Sequence, residues 1–197
     1  MRSLFKSPIL NHLQSKEVNF IVFDLEATCW EGKPDYMVQE IIEIGALRIN
    51  YYGEILDTFC RFVQPILNPK ISYFCADLTT IEQKSIDRSK KFPEVIDEFQ
   101  EWAEIDYEDY VLCSWGSFDK KMLIQDCELH EIESDWVEKH INLKRQYHEI
   151  KRLRKMRGMK FAVEKEGFDF DGIHHRGIDD AKNLAKLFIK FRDEWRY

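Results

Sequence analysis

Apolar and polar positions fall into two rhythms along this chain. Residues 19–25 form an almost unbroken apolar run that closes on acids, and residues 41–50 and 55–63 form two more runs, joined by Tyr51-Tyr52-Gly53. Runs of this length rich in β-branched and aromatic residues predict strands, and the short turn predicts a three-stranded antiparallel start. Pro65, Asn68 and Pro69 then punctuate the chain, and the spacing changes to helical. A helix is predicted over 79–85. Another is predicted over 92–103, where Phe92, Val95, Ile96, Phe99 and Trp102 or Ala103 recur every three or four residues. A strand over 110–114 leads to a helix over 118–129, with Ser117 available as its N-cap. Gly158 opens a helix over 159–166 that Gly167 ends. From Ile178 a last helix places Ala181, Leu184, Ala185, Leu187, Phe188 and Phe191 on a core-facing side. This order predicts an α/β fold with a mixed sheet flanked by helices. No repeat, low-complexity tract or linker points to a second domain.

Asp24 and Glu26 interrupt the first strand two residues apart, so both leave one face while Phe23 and Leu25 leave the other. Alone, such a pair is more simply an exposed feature of an edge strand. Two further groups change that reading: Asp119, just after the strand over 110–114, and a cluster with His174, His175, Asp179 and Asp180 at the start of the last helix. Asp180 stands four residues before Leu184 and seven before Leu187, on the inward side. Asp179 heads a polar column with Lys182, Asn183, Lys186 and Lys190, and suits the helix N-terminal turn. Counting back five residues from Asp180 selects His175 over His174. Clustered carboxylates of this kind suit hard, oxygen-preferring divalent ions.

Five ordered motifs carry a resemblance: Phe23-Asp-Leu-Glu-Ala-Thr-Cys29, Glu40-Ile-Ile-Glu-Ile-Gly45, Phe74-Cys75 with Leu78-Thr79, Cys113-Ser-Trp-Gly-Ser-Phe-Asp-Lys120, and His175-Arg-Gly-Ile-Asp-Asp-Ala-Lys-Asn183. Together they resemble the DEDDh exonucleases, and within these the branch of the histone-mRNA 3′ exonuclease and the enhanced-RNAi nucleases, with bacterial relatives described as inhibitors of a sporulation kinase pathway. The resemblance runs from about Asn19 to about Phe191. Thr80 departs from it, where the branch usually has glycine, as does Tyr73, where it usually has aspartate.

The resemblance implies a ribonuclease-H-like, mixed five-stranded sheet flanked by helices, and a metal-dependent 3′–5′ exonuclease acting on single-stranded 3′ ends, with RNA favoured over DNA. It implies two Mg²⁺ ions, replaceable by Mn²⁺, held by Asp24, Glu26, Asp119 and Asp180, and a neutral His175 as general base. It places the terminal base between Phe74 and Phe118, Ala27 and Thr28 near the 3′ hydroxyl, and Leu78 and Thr79 along the base pocket. Taken alone, Phe74 and Phe118 would sooner be core residues, and Trp115 reads as structural. Two alternatives stay open: a DNA-directed proofreading-type exonuclease, and a nucleic-acid-binding or regulatory module with vestigial activity.

At 197 residues and 44% apolar, the chain can bury a sizeable core without disulfides or structural metal. Its five cysteines form no C-x-x-C pair and read as reduced thiols, which predicts a cytoplasmic protein. No stretch is long enough to predict a membrane span, and residues 1–18 read as a short leader before a single exonuclease domain over 19–197. The net charge of −7 argues against a nucleic-acid partner until its distribution is seen. Residues 139–160 hold nine Lys or Arg against one acid, Glu149, whereas residues 94–109 hold eight acids and no Lys or Arg. Lys151, Arg152, Arg154 and Lys155 are candidates for guiding phosphates, with a solvated helix face or a loop as the alternative.

Overall fold

The computed structural model describes residues 18–32, 34 and 36–197. The expected leader lies outside these residues except for Val18, which opens the first strand. Five strands form one sheet: β1 (Val18–Ala27), β2 (Ile41–Ile49), β3 (Ile55–Phe62), β4 (Asp109–Ser114) and β5 (His140–Asn142), in the order β3-β2-β1-β4-β5. β1 pairs antiparallel with β2, and β2 with β3, whereas β4 runs parallel to both β1 and β5. This is the expected mixed five-stranded sheet.

Helices cover both faces, which is why β1 is apolar on each side. On one face, Ile21, Phe23 and Leu25 pack against Val95, Ile96 and Phe99 of α3 (Phe92–Ala103) and Met122 and Leu123 of α4 (Phe118–Leu129). On the other, Phe20 and Val22 pack against the C-terminal helices: α5 (Leu143–Ile150), α6 (Met159–Lys165) and α7 (Gly177–Lys190). Asp24 and Glu26 continue the Phe20–Val22 row, so their side chains leave towards α7. All six apolar residues assigned to the inner side of α7 are buried. No helix among the described residues is long and apolar enough to cross a membrane.

Several local expectations need correction. Instead of one helix over 79–85 there are two, α1 (Tyr73–Thr79) and α2 (Gln83–Asp87). Ser72 starts α1 by accepting the Cys75 N–H, and Thr80 ends it in the left-handed region at φ 58°. Glycine takes that conformation without a Cβ clash, so the departure at Thr80 falls where a glycine belongs on conformational grounds. Ser117 precedes α4 but makes no side-chain cap. Asn183 is not on a solvated column: it is fully buried, donates to the carbonyls of Asp171 and Asp179, and accepts the Asp171 N–H. That arrangement pins the segment entering the His/Asp motif onto α7. The short β5 and helix α5 had no place in the pattern reading.

Candidate active site

The parallel pairing of β1 with β4 stops at Val22–Cys113, which frees the next part of that β1 edge. Asp119, in the first turn of α4, takes over there and accepts the Leu25 N–H at 3.3 Å. On the opposite edge Asp24 lies across from Gly45 of β2, and Glu26 lies across from Glu43, with a register shift immediately after Glu26. A Cβ on Gly45 would meet the Gly177 backbone at 2.2–2.4 Å, so only glycine lets the start of α7 descend onto β2. That approach delivers Asp180. Ligand oxygens of Asp24, Glu26 and Asp180 come within 4.8 Å of one another. Asp119, on α4, is not part of that group of three but is near enough for its charge to raise Asp24.

This charge is not balanced from within. Asp24 keeps some residue surface open, yet its carboxyl sits deep among protein atoms, and burial followed by Asp119 and Asp180 raises it well above the ordinary aspartate range. Burial pushes Glu26 to about 9, with Asp180 and Glu43 adding to the effect. Asp119 is raised to about 6 by burial, against hydrogen bonds from Ser114 and the Leu25 N–H. Asp180 is also raised, chiefly by burial, although His174 opposes this. Each of these influences on Asp24 and Glu26 raises them, so the group favours a hard cation that would offset its charge. An all-oxygen donor set of this kind fits divalent ions of the Mg²⁺ or Mn²⁺ type.

Both histidines reach Asp180, in different ways. His174 Nδ1 lies 3.0 Å from Asp180 Oδ1, whereas His175 donates its backbone N–H to Asp180 Oδ2 at 2.8 Å. The two rings stack with centroids 4.1 Å apart, and His175 adopts φ 67°. Burial, and then His174, lowers the His175 pKa, which keeps its ring neutral at ordinary pH.

The expected nucleotide contacts divide into two sets. Phe74, Leu78 and Phe118 are 40%, 37% and 46% exposed, so the core alternative weighed for Phe74 and Phe118 does not describe them. Phe74 and Leu78 border a cavity of about 470 Å³ with Cys29, Trp30, Met37 and Gln39. Thr28 and Thr79, by contrast, are buried. Thr28 Oγ1 accepts the Glu40 N–H, and Thr79 Oγ1 donates to Cys75 O and accepts the Ile81 N–H, so both hydroxyls brace local backbone. Ala27 is buried at the end of β1.

The model of the family described as Exonuclease matches residues 21–188. This chain belongs to the exonuclease family. It is 35% identical to 3′-5′ exoribonuclease 1 of Homo sapiens over 90% of this chain and 56% of that protein. It is 29% identical to the probable 3′-5′ exonuclease KapD of Bacillus subtilis (strain 168) over 91% of this chain and 87% of that protein. It also superposes on the nuclease domain of 3′hExo, a DEDDh family member, bound to rAMP, with a TM-score of 0.83 and 33% identity over 93% of this chain and 96% of that one. The chain spans about half the length of the mammalian exoribonucleases it matches.

Around these acids, pattern reading gave no role to two supports. Glu43, fully buried, accepts from Arg176 Nε and Nη2 at 3.1 Å each and from the Gly177 N–H at 3.0 Å, which fastens the start of α7 to β2. A carboxylate inside the apolar run Ile41-Ile42-Glu43-Ile44 was the available signal. Ser114 bonds Asp119 and lies 3.0 Å from His140 Nε2, a link that no local spacing reveals. The basic candidates also divide. Lys151 is committed to Glu166 at 2.9 Å and lies over the Phe191 ring, so it braces the fold. Arg152, Arg154 and Lys155 are exposed, and Trp115 Nε1 ties the same loop down through Arg157 O at 3.2 Å.

Proposed function

We propose that this chain is a divalent-metal-dependent 3′–5′ exonuclease that hydrolyses single-stranded nucleic acid from its 3′ end, with RNA preferred to DNA. The observation that carries the reading is the convergence of Asp24, Glu26 and Asp180, with Asp119 beside them, where burial and the neighbouring acids raise both Asp24 and Glu26, next to a neutral His175. Asp24, Glu26 and Asp180, with Asp119 on the far side, would hold two ions, Mg²⁺ in the first instance. Such ions supply neutralisation of the scissile phosphate and a water of lowered pKa. His175 takes the proton of the attacking water, and His174 holds Asp180 in place. The exposed rings of Phe74 and Phe118 can stack on any base, which makes the grip tolerant of sequence. Arg152, Arg154 and Lys155 contact phosphates upstream of the 3′ end.

RNA preference draws support from the name of the human relative, an exoribonuclease, and from rAMP in the similar 3′hExo domain. Its physical basis is that a site closing on the terminal sugar can read the 2′ hydroxyl. The test is a digestion panel of end-labelled RNA and DNA of identical sequence, single- and double-stranded, with Mg²⁺, Mn²⁺ or EDTA. Stepwise shortening from the 3′ end that EDTA abolishes is expected, with initial rates on RNA about 5- to 150-fold above DNA, as for one lost buried hydrogen bond. Equal or faster cleavage of the deoxy strand removes the RNA preference, and no metal-dependent shortening removes the whole reading.

A further inference from the structure

Two cysteines meet at the wall of the cavity beside β1. Cys29 is half-buried and lines the cavity with Phe74 and Leu78, while Cys75 lies in α1 with no exposed surface. Cys29 packs against the small buried cluster that holds Cys75, and the Cys75 thiol donates to Ala27 O at the end of β1 at 3.6 Å. One hydroxyl joins the two backbones: Ser72 Oγ donates to Cys29 O at 2.6 Å and accepts the Cys75 N–H at 3.0 Å. The other cysteines lack such a neighbour. Cys60 faces Glu43, and Cys113 and Cys127 are buried on opposite faces of the sheet.

The geometry points to a reversible modification site, in which hydrogen peroxide entering the cavity closes Cys29 and Cys75 into a disulfide that fixes α1 against the end of β1. First, one sulfur of the pair, as thiolate, attacks a peroxide oxygen. The O–O bond breaks, leaving a sulfenic acid and, with one proton, water. The second sulfur then displaces hydroxide from the sulfenic sulfur, forming the S–S bond, and the hydroxide leaves as water with the second thiol's proton. The two sulfurs together lose two electrons, and one peroxide becomes two waters.

An S–S bond of about 2.05 Å is shorter than any thiol–thiol contact, so closing it draws α1 towards β1. α1 carries Phe74 and Leu78, and the cavity between them and Cys29 narrows. This consequence rests on the exonuclease reading, whereas the cross-link does not.

The test oxidises the full chain with stoichiometric hydrogen peroxide, blocks remaining thiols by alkylation and maps the peptides by mass spectrometry. A Cys29–Cys75 cross-linked peptide is expected, lost on adding dithiothreitol and absent from Cys75→Ser. Oxidation should also raise KM for a single-stranded RNA oligomer about tenfold, as for removal of one stacking partner, with the metal dependence unchanged and recovery on reduction. Hydrolysis by Cys75→Ser should not respond to peroxide. Recovery of Cys29 and Cys75 as alkylated thiols, or in disulfides with other cysteines, overturns the site. A cross-link that leaves KM unchanged overturns the constraint on α1. A chain that cross-links yet hydrolyses nothing in either state sinks the exonuclease reading and leaves the modification site standing.

Discussion

Glu26 and Glu166 are both withdrawn from solvent, and the protein treats their charge in opposite ways. At the seam of α6 and α7, burial works against an ionised Glu166, but hydrogen bonds from Lys151, Lys190 and Tyr147 outweigh it and hold the group down to about 2. At the end of β1, burial is reinforced by Asp180, Glu43 and Asp119, and Glu26 rises to about 9. Burial is common to the two regions; the partners differ. A buried carboxylate with cationic partners belongs to the fold, whereas one surrounded by other carboxylates is completed only by something from outside.

The strongest way to break this contrast is to remove a carboxylate at the centre of the unbalanced group. Asp24→Asn should reduce hydrolysis by more than about 10³-fold, the several kcal/mol that a metal site supplies, with an unchanged circular dichroism spectrum. Undiminished activity in that variant would mean that the acids are not a metal site. Next in size is the histidine pair. His175→Ala should lose about 10²-fold in rate, as for loss of a general base, and His174→Ala roughly tenfold. Equal losses, or the reverse order, would transfer the proton-accepting role to His174.

The two glutamates can also be set against each other by pH. In EDTA, an unfolded chain releases the Glu26 proton near its ordinary 4.5, while the folded chain holds it to about 9. The unfolded state therefore binds fewer protons across that window, and folded stability falls as pH rises through it. Glu26→Gln should remove this loss, with a melting temperature above wild type that gains on it from pH 5 to 9, and saturating Mg²⁺ should close the gap. Glu166 has the opposite sign: its contribution is present above about 4.5 and lost as pH falls towards 2. Glu166→Gln should cost about 1–2 kcal/mol at pH 7, a moderate figure because Lys151 and Lys190 are partly solvated, and nothing at the acid end. Thermal melts across pH decide both, and parallel curves would erase the contrast.

The smallest effect belongs to the exposed cations. Neutralising Arg152, Arg154 and Lys155 together should weaken single-strand binding a few-fold and lower the slope of log affinity against log salt by up to about 2, near 0.7 for each phosphate that these side chains neutralise. Adding Lys151→Gln should change the melting temperature rather than the slope.

What was legible from the chain follows from how far each interaction reaches. Strand β1, helix α3 and the inner side of α7 are written in local periodicity; Asp24 and Glu26 stand out because they interrupt an apolar run, Asp119 because it follows a strand, and Asp180 because of its helical register. The break at Thr80 left no trace in local periodicity, because it depends on a left-handed backbone at a residue that rarely adopts one; the sign was that the resembled branch usually has glycine there. Glu43 with Arg176, separated by 133 positions, and Ser114 with His140 are supports that only the folded chain brings together. Asn183 misled because a buried amide looks like a surface one until the loop that it binds is seen. Charge runs were a coarse guide, since they could not separate Lys151, held by Glu166, from its exposed neighbours.

The close approach of Gly177 to Gly45 sets the order in which the site assembles. Asp24 and Glu26 reach their places when a local hairpin forms, but Asp180 arrives only when the chain's last helix docks on a strand more than a hundred residues earlier. Loop closure over that distance is slow compared with hairpin formation. Asp180 is therefore missing from the group until α7 docks, and a nascent chain whose synthesis has not yet passed α7 has a floor of acids without the residue that completes it. A side chain at position 45 would interrupt assembly at that last step, leaving the sheet formed and the site open.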